Sequence, residues 1–278
     1  MQPGYAEIKR MAKYTLKNKW PEAIAVAAML ISLGFLDIVM QGVLTTVFRV
    51  DVVWTVLDPA SMPQHSIIAS ICITVFSMIY GLLVFLPFSI GALRWFWFTV
   101  HGEDCSMMDV FYYFTNPKRF FKAVFLVFLL SLRAILGAAI CLIPYIIINL
   151  VVSPEIYNFF GYSMPVMVSG LFPLIPFFEI AGIVLFLFWC ARYVLFFVPL
   201  FTEPEFSANK VIKQSIMLTK GKLFRFMGFL LGFLGWLILC LLMLPMIFVV
   251  PYGLASLMVY GREELRFSKV QTGEFQQF

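Results

Sequence analysis

Four ionisable side chains stand inside long apolar runs of the chain, where charge is energetically costly. They are Asp37, Arg133, Glu179 and Arg192. A charge at the centre of a bilayer costs about 2.5–3.5 kcal/mol on insertion scales, so such residues usually face protein or water and pair with one another. Two kinds of chemistry fit them: a site for an ion, a proton or an anionic lipid, or a salt bridge that locks helices together.

The depth of these residues along their apolar runs indicates which of them meet. Asp37 lies about 15 residues, or roughly 23 Å along a helix, beyond the predicted cytoplasmic start of its run. Arg133 lies at a similar height in its own run, and Glu179 approaches from the opposite side. We therefore predict one intramembrane polar cluster, which consists of Asp37, Gln41, Arg133 and Glu179. We expect Arg94 and Arg192 nearer the cytoplasmic surface.

No established catalytic motif accompanies these charges. The sequence has no His-Glu-x-x-His zinc motif, no Gly-x-Ser-x-Gly nucleophile elbow and no phosphate-binding glycine loop that ends in Lys-Ser or Lys-Thr. The two histidines, His65 and His101, fall in predicted loops on opposite sides of the membrane. We expect no catalytic residue, no metal site and no cofactor, and an intramembrane enzyme is the weakest hypothesis.

The elements that position the charges are predicted membrane helices. The chain is 62% hydrophobic and 13% charged, against roughly 45–50% and about 25% in soluble domains. Runs near 20 apolar residues cross a hydrocarbon layer of about 30 Å. Such runs lie at 22–48, 67–88, 120–151, 166–201, 223–244 and 246–260, the second being open to extension toward Phe98. We predict an all-α fold, a polytopic transmembrane helix bundle of six spans in a single integral membrane domain.

The distribution of basic residues predicts the orientation of these spans. Lys and Arg concentrate before residue 20, at 118–122, at 210–225 and at 262–269, whereas 49–66 has one Arg and 152–165 has none. By the positive-inside rule, both termini and the polar tail 263–278 are cytoplasmic. A five-span alternative, with 223–250 as one helix, would place the basic C-terminus outside. We expect a protein of the cell membrane that contacts the anionic cytoplasmic leaflet, with no nucleic acid as partner.

Three predicted cytoplasmic segments have apolar residues at helical spacing, and we predict that each is a short amphipathic interfacial helix. The apolar faces are Ile8, Met11, Ala12 and Thr15; Met107, Val110, Phe111 and Phe114; and Ala208, Val211, Ile212 and Ser215. Ser106 and Asp109 form a capping-box pattern before the second segment. Each segment precedes two spans, which predicts a threefold hairpin repeat over 1–98, 99–203 and 204–262. Alternatively, the positive-inside rule alone gives every hairpin basic flanks.

The third of these units contains the most recognisable motifs. They are Ile212-x-x-Ser215, Met217-x-x-x-Gly221-Lys222, Gly235-Trp236 and Pro251-Tyr252. Together with Gly91 and Gly102-Glu-Asp104, they make the chain similar to the bacterial integral membrane family catalogued as domain-of-unknown-function-975. The resemblance covers most of the chain and implies a multi-pass membrane protein without assigned chemistry.

Two residues of these motifs have a predicted structural role. We expect Gly221 to end a helix. We expect the Ser215 hydroxyl either to pack on the apolar side or to bond the turn at Gly221.

Two functional hypotheses follow from the sequence. The first is a non-enzymatic protein that binds or moves a small ligand, ion or lipid within its helix bundle. The alternative is an accessory or scaffold protein that acts through a partner membrane protein, or through copies of itself, by its cytoplasmic helices.

Overall fold

A computed structural model describes residues 3–48, 50, 64–152, 168, 170–240 and 245–271 of the 278-residue chain. Every regular element in those ranges is a helix, so the predicted all-α class is confirmed. The α-helices are α1 (Tyr5–Thr15), α2 (Trp20–Val47), α3 (Gln64–Tyr80), α4 (Leu86–Val100), α5 (Pro117–Val152), α6 (Leu174–Ala191), α7 (Phe197–Thr202), α8 (Ala208–Thr219), α9 (Leu223–Leu231), α10 (Leu234–Leu239) and α11 (Met246–Gln271). A π-helical turn, Gly81–Phe85, joins α3 to α4, and 3₁₀ turns cover Met107–Phe111 and Val194–Phe196.

Four helical stretches in the described part of the chain are long and apolar enough to cross a membrane. They are Trp20–Val47, Ile67–Val100, Pro117–Val152 and Leu174–Thr202. Only 6% to 17% of the most apolar window of each stretch is buried. Their apolar side chains therefore face outward, which is costly in water and neutral in hydrocarbon. The second stretch runs past Gly91 to Val100, so the helical stretch extends beyond Phe88 as the sequence allows.

The predicted fifth span, 223–244, is interrupted in the structure. Helix α9 ends at Leu231, the chain turns at Gly232 and Phe233, and α10 follows. Lys9 Nζ, from α1, donates a hydrogen bond of 2.6 Å to the Gly232 carbonyl and lies 4.3 Å from the centre of the Phe233 ring. A helix break exposes carbonyl groups that lack helical partners, and the lysine satisfies one of them. The predicted boundary at Leu244 lies outside the described residues.

The predicted sixth span, 246–260, is part of a longer helix. Helix α11 spans 26 residues, Met246–Gln271, and so enters the predicted polar tail 263–278. Neither α11 nor the interrupted α9 and α10 is among the four long apolar stretches, and the count of six spans stays a prediction. The five-span alternative requires one helix over 223–250, which the turn at 232–233 interrupts.

The chain divides into two compact units, and the first comprises Met1–Val127 with Gly232–Phe278. Its core lies where α1, the start of α2, the end of α4 and α11 pack together. The buried side chains are Ile8, Ala12, Leu16, Ala23, Val26, Ala27, Trp95, Phe96, Val100, Met258, Val259 and Tyr260. Arg262 on α11 donates to the Val100 carbonyl at 2.9 Å and so caps the end of α4. In the apolar face predicted for α1, Ile8 and Ala12 are therefore buried against protein, and Met11 and Thr15 are partly buried.

The second predicted cytoplasmic helix is shorter than expected. The capping box at its start is present: the Ser106 amide donates to Asp109 Oδ2 at 3.0 Å, and the Met108 amide donates to Ser106 Oγ at 3.3 Å. The helix is a 3₁₀ turn that ends at Phe111, three residues before the predicted limit at Phe114. Helices of this type rarely extend further because their hydrogen-bond geometry is poorer.

The second unit, Phe128–Leu231, contains α6 to α9 and the larger part of α5. Within it, α8 buries the predicted face, Ala208, Val211, Ile212 and Ser215, and exposes Lys210 and Lys213. Gly221 follows this helix with a φ of 75°, a left-handed conformation that glycine adopts without strain, so the predicted helix stop is confirmed. The hairpin repeat over 1–98, 99–203 and 204–262 stays a prediction.

Candidate functional site

Asp37 lies in the apolar helix α2 and its carboxylate accepts hydrogen bonds from two neighbours. Ser77 Oγ, on α3, donates to both carboxylate oxygens at 2.9 Å each. Gln41 Nε2 donates to Asp37 Oδ2 at 2.9 Å and to Ser77 Oγ at 3.0 Å. All three side chains are partly buried, and together they form a closed triangle that we call the Asp37 site.

The spacing of residues on two packed helices produces this triangle. Asp37 and Gln41 are four residues apart and therefore share one face of α2. Tyr80 lies one turn beyond Ser77 on α3, and its hydroxyl donates to the Leu33 carbonyl at 3.0 Å, one turn before Asp37. The polar contacts thus extend over two turns and hold α2 beside α3.

Asp37 and Gln41 were predicted from the sequence, whereas Ser77 and Tyr80 were not. Single hydroxyl groups are common in apolar helices, where they bond the backbone of their own helix. The signal that was available is the three-residue spacing of Ser77 and Tyr80, which places both hydroxyls on one face of a helix otherwise rich in aliphatic side chains.

The Asp37 site has acidic character. No Lys, Arg or His in the described part of the first unit lies within ion-pair distance of Asp37. A half-turn of the Gln41 amide would direct Oε1 to the centre of the triangle. Oxygen atoms from three residues are the ligand type that hard cations prefer.

Arg133 and Glu179, the other two members of the predicted cluster, belong to the second unit. The Arg133 guanidinium lies 6.0 Å from the centre of the Tyr193 ring, and the Arg133 carbonyl accepts a 3.1 Å hydrogen bond from Trp189 Nε1. Glu179 is exposed on α6. No ion pair joins Arg133 to Glu179 in the part of the chain that the structure describes. Their meeting with Asp37 and Gln41 stays a prediction.

The two arginines expected nearer the cytoplasmic surface both stack on aromatic rings. The Arg94 guanidinium lies 3.8 Å from the centre of the Tyr112 ring and 4.6 Å from that of Phe98. The Arg192 guanidinium lies 5.9 Å from the centre of the Trp189 ring. Such contacts stabilise a cation by the negative face of the ring.

The Ser215 hydroxyl does not bond the turn at Gly221. It donates instead to the Arg192 carbonyl at 3.1 Å, and Thr219 Oγ1 donates to the same carbonyl at 3.2 Å. Arg192 follows the last residue of α6, where helix carbonyls lack helical partners. Ser215 therefore joins α8 to the end of α6, and it is fully buried as the packing alternative predicts.

The Gly-Trp and Pro-Tyr motifs lie at one aromatic contact in the first unit, whereas Lys222 belongs to the second unit. The Trp236 ring meets the Tyr252 ring edge to face at 6.2 Å, and Phe233 lies 5.9 Å from the same tyrosine. Pro251 is buried inside α11 and Gly235 is exposed on α10. The Lys222 amide, after α8, donates to the Thr219 carbonyl at 3.1 Å. The Gly-Trp and Pro-Tyr pairs thus hold α10 against α11.

Other titratable groups offer little chemistry. Burial raises the pKa of the Cys105 thiol, and the Asp109 carboxylate adds to the rise, so the thiol is a weak nucleophile. Within the described ranges, no three His, Cys, Asp or Glu side chains converge as a metal-binding set.

These features define a class of protein: an all-helical chain with the long apolar helices of a membrane protein and an acidic residue held inside one of them. The chain belongs to the family described as protein of unknown function DUF975, whose model matches residues 3–263. No curated protein and no solved structure matches the chain. Family membership confirms the resemblance seen in the sequence and assigns no activity.

Proposed function

We propose that this protein is a non-enzymatic, multi-pass protein of the cell membrane that binds or moves a small cation or proton at the Asp37 site. We place six spans in the bilayer and both termini in the cytoplasm, as the distribution of basic residues predicts. One observation carries the proposal. Asp37 sits in an apolar helix, accepts hydrogen bonds from Ser77 and Gln41, and has no basic partner among the described residues of the first unit.

An isolated carboxylate is energetically costly in hydrocarbon. A charge there costs several kcal/mol and is retained where it binds a proton, an ion or a counter-charge. Ser77 and Gln41 fix the geometry of the carboxylate and leave its net charge unchanged. A bound cation or proton supplies the missing neutralisation. Occupancy and release of the site then alter the electrostatic cost of holding α2 against α3.

The experiment measures thermal unfolding of the purified full chain in detergent, over a series of pH values and of Na⁺, K⁺ and Li⁺ concentrations at constant ionic strength. A bound ligand at 100 times its Kd stabilises the folded state by about 2.7 kcal/mol. We expect one cation, or acidification, to raise the melting temperature. Asp37→Asn should remove that dependence, and Glu205→Gln, which neutralises an exposed carboxylate in a loop, should keep it.

A structural lock between α2 and α3 predicts a different result. Asp37→Asn would then lower the melting temperature by a constant amount under every condition, and the wild-type protein would show no greater cation or pH dependence than the variant. That outcome would refute the ligand site and leave the carboxylate as a packing element.

The scaffold alternative finds support on the outer face of α8. Lys210 and Lys213 are exposed there beside Met217, which is 58% exposed. An apolar methionine among basic residues suits a flexible contact with an acidic partner. The apolar face of α1, by contrast, is already occupied by the protein's own core.

A further inference from the structure

An apolar groove opens at the surface of the first unit, between α2, the π-helical turn and the 3₁₀ turn. Its volume is about 390 Å³, within the range of about 300–1,000 Å³ typical of ligand pockets. The walls are formed by Met29, Leu33, Val84, Phe88, Phe111 and Phe114. Val84, Phe111 and Phe114 each stay more than one third exposed, so the groove is open along its outer side.

Two guanidinium groups lie against Tyr112, a residue next in sequence to the groove wall. Arg94 stacks on the Tyr112 ring at 3.8 Å, and Arg119 stacks on the same ring at 4.2 Å. Tyr112 directly follows Phe111 of the groove wall. Arg119 precedes Phe120, whose ring lies 5.7 Å from that of Phe114. We call Arg94, Tyr112 and Arg119 the arginine clamp.

Helix α4 and the 3₁₀ turn pack side by side from the groove to the clamp. Phe88 meets Phe111 edge to face at 5.4 Å. Gly91 lies against Val110, and Arg94 meets Tyr112, each step being three residues along the helix. Six residues correspond to about 9 Å of helix rise. A molecule with an anionic head at the clamp and a long apolar tail in the groove fits this separation.

The charge of the clamp is not neutralised by the protein itself in the described ranges. No carboxylate lies within ion-pair distance of Arg94 or Arg119 there. Asp109, on the intervening turn, accepts a hydrogen bond from the Ser106 amide in the capping box. Arginine presents its donors in a planar fork that matches two oxygens of one phosphate group, and stacking on an aromatic ring holds that fork in place.

We propose that the groove and the arginine clamp together form a binding site for one anionic phospholipid. The phosphate is held by Arg94 and Arg119, and an acyl chain lies in the groove along Phe88 and Val84 toward Leu33. Basic pockets beside membrane helices on the cytoplasmic side are known to select anionic headgroups. This proposal does not depend on ion binding at Asp37, and it requires only that the helices lie in a bilayer.

Native mass spectrometry of the full chain tests the proposal, with dioleoyl phosphatidylglycerol and dioleoyl phosphatidylcholine added to the detergent solution in turn. We expect tighter binding of phosphatidylglycerol by about tenfold or more, because both lipids have the phosphate but the quaternary ammonium of phosphatidylcholine offsets its charge and repels the two arginines. The double variant Arg94→Gln/Arg119→Gln should bind both lipids equally. The control Lys210→Gln/Lys213→Gln removes the same charge from the exposed face of α8 and should keep the preference.

Two further measurements separate the parts of the site. Val84→Trp fills the groove and leaves both arginines intact, so it should weaken binding of phosphatidylglycerol and phosphatidylcholine alike. Glycerol 3-phosphate, the head without the chains, should not bind measurably. The lipid site is refuted if the arginine variant keeps the preference, if Val84→Trp binds as the wild type does, or if glycerol 3-phosphate binds as well as the lipid. The groove variant decides the question even where the arginine variant does not fold.

Discussion

Replacement of Gly91 by alanine should be the most damaging single-methyl addition in the first unit. A Cβ atom at Gly91 would overlap the carbonyl oxygen of Val110 and lie 2.9 Å from its carbonyl carbon and 3.4 Å from its Cα. These are backbone atoms, so no side-chain rotation relieves the overlap. Helix α4 and the 3₁₀ turn must therefore separate. Val110, which is fully buried, loses part of its packing as they do so.

The expected loss of stability in Gly91→Ala is the difference between two opposing effects. Overpacking of a buried contact costs about 1–3 kcal/mol, and contact between two backbones places this case at the upper end. Alanine gains about 1 kcal/mol over glycine from helix propensity. The net destabilisation is about 2 kcal/mol, or a fall of about 4–8 °C in melting temperature at about 2–4 °C per kcal/mol.

Thermal unfolding of Gly91→Ala, followed by tryptophan fluorescence, measures this fall directly because Trp95 and Trp97 lie on the same helix. Gly42→Ala is the matched control, since it adds a methyl group to the interior of α2, where no atom lies within 4 Å. The control should be unchanged or slightly more stable. Equal melting temperatures for the two variants would show that the close approach of α4 to the 3₁₀ turn does not contribute to stability.

Three more predictions concern other contacts. Gly137→Ala places a Cβ against the Trp189 ring, so the ring must move and lose its hydrogen bond to the Arg133 carbonyl. We expect the free energy of unfolding to fall by about 1–3 kcal/mol and the emission of Trp189 to shift. An unchanged emission spectrum would contradict the contact. Ser215→Ala removes a buried hydrogen bond and should cost about 1 kcal/mol in chemical or thermal unfolding, whereas a cost near zero would show that the bond adds nothing. In a variant that keeps only Cys105, the rate of maleimide labelling should rise at a higher pH than for free cysteine, because burial raises the pKa of the thiol. A midpoint at or below that of free cysteine would argue against the packing of the loop that contains Cys105.

Several features of the fold could be predicted from local sequence. The long apolar runs identify the four helical stretches that are long and apolar enough to cross a membrane, because such a pattern needs no long-range partner. The capping box at Ser106 and the glycine stop at Gly221 are formed by residues close in the chain. The buried face of α8 follows from helical spacing alone.

Other features depended on which helices lie side by side. An amphipathic pattern is the same whether its apolar face meets lipid or protein, so the sequence could not show that α1 is part of the core. The turn at Gly232 has no strong local signal, and the Lys9 amine that satisfies it comes from the other end of the chain.

The Asp37 site likewise depends partly on local sequence and partly on which helices pack together. The sequence by itself determined that Asp37 stands in an apolar helix and that Gln41 shares its face, because both follow from spacing within one helix. Only the tertiary structure decided that Ser77 completes the site, since the pairing of α2 with α3 brings together residues 40 positions apart. A single helix fixes the depth and direction of a polar side chain, and the choice of its partner depends on the packing of a second helix against it.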